Sequence, residues 1–213
     1  MNSRYLSIIV GVTLAIVFTI GGALSVSVAV KNARAVVKYD KITVDEETVH
    51  YLAAYYKVMY FEELANDGVE GSDTQEFWSS ESKYGMSYGQ HYEASLRSFI
   101  AKLVAAANHY ANHSTYTPDD KIALATLCDH VLTSEADGDV SIFNAKAKKY
   151  GFNYNDFQNA AALIYKAKRA EECYIKDSSI DIELLMREVD FKSGYADINT
   201  IAIPALESFI IYR

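Results

Sequence analysis

His109 and His113 stand four residues apart, a spacing at which two imidazoles on one helix face can share a metal ion. Cys128-Asp129-His130 adds further soft ligands. Neither group has the H-E-x-x-H context or a paired cysteine motif, so both read better as a solvated helix end and a buried apolar thiol than as a metal centre. The acidic run Glu135 to Asp139 lacks the alternating spacing of a calcium loop and reads as a solvated turn. There is no G-x-S-x-G, phosphate loop or dinucleotide fingerprint, so no catalytic residue, metal or cofactor is expected. Cys128 and Cys173 either form one disulfide in an oxidising compartment or stay as separate buried thiols.

What remains is recognition without covalent chemistry. The chain has 17 Tyr, 9 Phe and 1 Trp, an aromatic excess that supplies large amphipathic contact surfaces. Several of these residues fall in an irregular stretch from residue 66 to 90 that is rich in Gly, Ser and Asp, where a long loop with a short helix is expected. Tyr55, Phe61, Phe77, Trp78, Tyr84, Met86 and Tyr88 are the candidate contacts for a polypeptide partner, since aromatics and Met suit adaptable surfaces. Tyr56 and Tyr60 lie on a core stripe and read as structural. With 20 Lys and Arg against 28 Asp and Glu, the net charge of −8 argues against nucleic acid as a partner.

The elements that must position these residues begin with an apolar run. Tyr5 to Val30 carries no charge and would rise roughly 39 Å as a helix, enough to cross a bilayer. Its length favours an uncleaved anchor over a signal peptide, although Ser27-Val28-Ala29 and Ala33-Arg34-Ala35 both fit a small-x-small cleavage site. Residues 1–35 are thus expected to form a short N-terminus, anchor and linker, and residues 36–213 a helical domain. Lys31, Arg34, Lys38 and Lys41 outnumber Arg4 and would keep that domain in the cytoplasm on charge alone.

Beyond the run, the chain reads as helices with good punctuation. Val36 to Tyr39 is β-prone, and Thr43-Val44-Asp45-Glu46 has the form of a capping box. Val49, Leu52, Ala53, Tyr56 and Tyr60 then draw one apolar stripe as far as Leu64. Leu96, Ile100, Leu103, Val104, Ala107 and Tyr110 predict a long helix between Glu93 and Asn112. Thr117-Pro118-Asp119-Asp120 starts another helix, with Cys128 and Val131 on its apolar face. A short helix carries Phe143 and Ala147 towards Tyr150, and Gly151 ends it. Asn153 and Asp156 form a third box, with Phe152 and Phe157 placed as a hydrophobic staple. A last helix is expected from Ser179 to Val189. Tyr195 to Arg213 alternates apolar and polar residues and reads as a strand whose simplest partner is Val36 to Tyr39.

This order of elements resembles the N-terminal helical domain of SurA- and PrsA-type extracytoplasmic foldases. The resemblance covers roughly Val36 to Ile203 and rests on the stretches KITVDEETVHYL, SLRSFIAKLVAAANHYANHSTYTPDDK and FNAKAKKYGFNYNDFQNAAALIYKAKRAEECYI. It implies a mostly α chain, with an N-terminal transmembrane helix, a multi-helix domain and a small two-strand β pairing. It also implies a chaperone of unfolded or newly exported polypeptides, held to the cytoplasmic membrane through Tyr5–Val30 with its bulk outside, against the charge count. The alternative is a membrane-anchored helical adaptor for one envelope partner. The parvulin-type isomerase module that normally follows has no counterpart before Arg213, so no isomerase activity is expected. The C-terminal strand would then be free for homo- or hetero-association.

Overall fold

Strand, turn and strand open the described part of the chain, which in this computed structural model comprises residues 34–113, 117–175 and 180–211. The hairpin is β1 (Ala35–Tyr39) and β2 (Ile42–Asp45), joined through Asp40 at a left-handed φ of 48°. Asp is among the few non-glycine residues that tolerate this conformation. There follow α1 (Glu46–Asn66), α2 (Gln75–Ser79), α3 (Tyr88–His113), α4 (Pro118–Ala136) and α5 (Val140–Ala147). A 3-10 turn (Lys148–Tyr150), α6 (Tyr154–Ala170) with a π turn (Glu171–Ile175), and α7 (Ile182–Met186) come next. The chain closes with β3 (Asp190–Phe191), α8 (Ser193–Ala196) and a second 3-10 turn (Thr200–Ala202).

Helix starts follow side-chain capping. Thr117 and Asp120 form a reciprocal box with Pro118 in the first turn, and Asn153 and Asp156 form another. Gly151 takes φ 82°, the left-handed residue that ends the turn before it. The first helix departs from expectation. Its cap is Asp45, which accepts from Thr48 N at 3.0 Å, because Thr43 and Val44 are taken up by β2.

Helix α3 packs along α6, and α1 packs against both. Alanines dominate the buried positions of α6 (Ala160, Ala161, Ala167 and Ala170), and small side chains allow helix axes to approach closely. Helix α1 is central and is buried on more than one side. Val49, Leu52, Tyr60 and Leu64 of the expected stripe are covered, but so are Tyr51, Ala54, Tyr55 and Lys57. Phe152 and Phe157 both meet Tyr51 edge-on, at centroid distances of 5.1 and 5.5 Å, so the two staple positions are tied through a shared ring.

The β structure corrects the expected two-strand pairing. The strands form one antiparallel sheet in the order β2-β1-β3, with Val37 opposite Phe191 and Lys38 opposite Asp190. The C-terminal segment is not a strand but a strap laid antiparallel along α1. Lys57 Nζ donates to Ile203 O at 2.5 Å, Leu206 N donates to Ala54 O at 3.1 Å, and Tyr51 Oη donates to Phe209 O at 2.9 Å. Each step takes three residues on both chains. Ile203, Leu206, Phe209 and Ile211 are buried by it. The backbone groups Ile203 O, Leu206 N and Phe209 O thus find their partners on α1 rather than on a neighbouring strand.

Of the helix expected over Ser179 to Val189, the described residues form α7, and beyond Met186 the chain turns to place Asp190 and Phe191 beside β1; Ser179 lies outside the described residues. The expectation of a transmembrane helix, and of a single-pass membrane location with it, is corrected. No helix among the described residues is long and apolar enough to cross a membrane. Tyr5–Val30, on which that expectation was placed, lies outside the described residues.

Candidate functional site

The aromatic residues singled out from the sequence are brought together, but mostly inward. Trp78, on the short helix α2, is 4% exposed and sits 5.6 Å from Phe61, 5.1 Å from Phe77 and 5.3 Å from Tyr92, ring to ring. Phe77 stacks on Tyr88 at 4.7 Å. Tyr55 is buried midway along α1, within 6.4 Å of Phe99. Phe61, Phe77 and Tyr88 are half-buried. Only Tyr84 and Met86 are well exposed, at 46% and 39%, and the Tyr84 ring lies stacked on His91 at 4.1 Å.

At the heart of this cluster is a charge. The side chain of Lys57 has no solvent exposure, and its ammonium donates to Asp73 Oδ1 at 2.9 Å, Ile201 O at 2.7 Å and Ile203 O at 2.5 Å. Three donors meet three acceptors, with the ring of Trp78 4.9 Å away. Burial lowers the Lys57 pKa and the Asp73 carboxylate opposes that shift. Asp73 also accepts from Trp78 Nε1 at 3.0 Å, so one carboxylate ties the loop, the indole and the strap to α1. An ammonium with all three protons engaged has no lone pair to offer, and this lysine is a brace rather than a nucleophile.

The opposite flank of α3 presents a different surface. Ala94, Arg97, Ser98, Ala101 and Lys102 fall at i, i+3, i+4, i+7 and i+8, a second helical stripe facing α7 and β3. Across from them stand Ile182, Met186, Val189 and Phe191, with Glu183 and Arg187 exposed beside them. The two sides enclose an open groove of about 750 Å³, within the size range of ligand sites. Pairing of β3 with β1 is what holds Phe191 there. The guanidinium of Arg97 lies 4.3 Å from the Phe191 ring centroid and 5.9 Å from that of Tyr195. A second concavity of about 370 Å³ shares Ala94 and Arg97 and adds Glu93, Tyr195 and Ile198.

Three cations therefore line one groove in a chain of net charge −8. Among the described residues no carboxylate lies within ion-pair distance of Arg97, Lys102 or Arg187. Sequence reasoning passed over these residues because a charge on the outer face of a helix is usually solvated. The signal available was Ala94 and Ala101 on a face that should otherwise have been polar throughout.

The remaining chemistry-bearing residues do not converge. His109 and His113 stack at 4.0 Å, and burial followed by the charge of His113 lowers the His109 pKa. Among the described residues no group of three or more His, Cys, Asp or Glu side chains is arranged to hold a metal. Cys128 is buried and Cys173 exposed, both as free thiols, and burial pushes the Cys128 thiol up to about 11. Asp120 is held down to about 2, first by the Thr117 backbone N–H at 3.0 Å, and it also accepts from Tyr110 and Tyr165. That network joins α3, α4 and α6 and is structural. No family model, no curated protein and no solved structure matches this chain.

Proposed function

We propose that this chain is a helical module that binds a polypeptide without acting on it covalently, and that it serves a dedicated partner rather than unfolded chains at large. The groove between α3 and the α7–β3 segment carries this reading: it is open, its lining combines apolar side chains with cations, and those cations lack carboxylate partners among the described residues. The resemblance to foldase helical domains supports a polypeptide as the ligand class. Burial of Tyr55 and Trp78 removes much of the aromatic surface that broad capture of unfolded chains would need.

A general chaperone remains the second reading, favoured by the exposure of Tyr84 and Met86. A peptide array of unrelated sequences, probed with the full chain, separates the two. A dedicated module retains a narrow set sharing one charge pattern, while a chaperone retains many aromatic-rich peptides. Retention of none would overturn both.

A further inference from the structure

We infer that the groove along α3 recognises an extended segment in which acidic residues alternate with aliphatic ones, a deepening that rests on the polypeptide-binding reading above. Charge and shape together select this occupant. The Arg97 guanidinium carbon lies 4.3 Å from the centroid of the Phe191 ring, a cation–π contact that uses the face of the guanidinium and leaves its N–H groups for a carboxylate. Lys102 stands five residues further along α3, and Arg187 faces them from beyond α7. Against these three cations the groove sets Glu183, and the adjoining concavity sets Glu93. The local balance is positive where the whole chain is strongly negative.

The floor decides between sources of negative charge. Ala94, Ala101, Ile182, Met186, Val189 and Phe191 offer apolar surface that a phosphodiester backbone cannot use. A polyanion longer than the groove would also meet the rest of a chain whose net charge is −8 overall. An extended polypeptide supplies both chemistries along one short track, carboxylates for the three cations and aliphatic side chains for the apolar part of the lining. The adjoining concavity at Tyr195 and Ile198 extends the same track and allows an occupant longer than the main groove. No part of the aromatic cluster around Trp78 is needed.

The test is fluorescence anisotropy with the full chain and three labelled decapeptides: alternating Glu and Leu, alternating Lys and Leu, and alternating Glu and Ser. The Glu/Leu peptide is expected to bind with an affinity that falls as salt rises, and the other two to bind far more weakly. Lys102→Glu together with Arg187→Glu, both exposed positions, should weaken Glu/Leu binding roughly tenfold or more with an unchanged circular dichroism spectrum. Equal binding of the Lys/Leu peptide, or indifference to the double reversal, would overturn the assignment. A dodecanucleotide that competes as well as the Glu/Leu peptide would do the same, by showing that bare anion suffices. If array peptides bind but the Glu/Leu peptide does not, the groove assignment fails while the polypeptide-binding reading stands. If no peptide binds, both fail.

Discussion

Lys57 Nζ stands 2.5 Å from the carbonyl oxygen of Ile203, from a side chain with no exposure to solvent. That bond is the first rung of the strap, followed by Leu206 N to Ala54 O and Tyr51 Oη to Phe209 O. A buried ammonium is stable only while its protons are engaged, and the acceptors are stable only while it is there. Lys57→Met should therefore cost about 3 to 5 kcal/mol, measured by denaturant unfolding followed by circular dichroism. Asp73→Asn leaves both carbonyl acceptors in place and should cost less. Equal losses would show that the carboxylate alone holds the lysine.

Trp78 is the one tryptophan and is 4% exposed, so its fluorescence reports the state of the cluster. Acrylamide should quench it weakly in the folded chain and strongly in denaturant. Trp78→Ala removes a large ring from a packed site and should cost about 3 to 5 kcal/mol. Binding of the Glu/Leu peptide to whatever fraction remains folded should be unchanged. Loss of binding with full stability would return the aromatic cluster to the role expected of it from sequence.

Two capping aspartates titrate in opposite senses. Asp120 is lowered from 3.8 to about 2 in the folded chain, so the unfolded chain binds its proton first. Its stabilisation is present above the unfolded value and is lost as pH falls towards 2. Asp156 is raised, chiefly by burial, so it favours the fold more as pH falls through its folded value. Melting temperatures between pH 2 and pH 5 should accordingly fall less steeply for Asp120→Asn than for the parent, and more steeply for Asp156→Asn. Parallel curves would contradict the Asp120 network.

The two thiols differ in access. Cys173 is exposed, and Cys128 is buried with its pKa raised to about 11. An aromatic disulfide reagent should titrate one thiol rapidly at neutral pH and the second only on unfolding. Zero reactive thiols under native conditions, with two released by reductant, would restore the disulfide as the structure's state.

Much of the helical order was legible because capping is local. Thr117 to Asp120, Asn153 to Asp156 and Gly151 each act within four residues, and each lies where the sequence indicated. The start of α1 was misplaced by a non-local event, the pairing of β2 with β1, which drew Thr43 and Val44 into a strand. The strap was read as a strand because alternation records which residues are buried, not what their backbone bonds to. Here the partners are Lys57, Ala54 and Tyr51 of a helix more than a hundred residues earlier. The aromatic candidates failed in the same way: composition marks Trp78 as sticky, but Asp73 and Lys57 decide that it faces inward. Arg97, Lys102 and Arg187 converge through the packing of α7 on α3 and the pairing of β3 with β1, and no spacing in the sequence encodes either.

A module that serves one dedicated partner gives no general protection against aggregation. Two unrelated aggregating proteins would be followed by light scattering with and without a stoichiometric amount of the full chain. Neither should be protected, because much of the aromatic surface required is packed around Trp78. Protection of both, surviving the Lys102→Glu and Arg187→Glu reversal, would contradict it and establish a general chaperone instead.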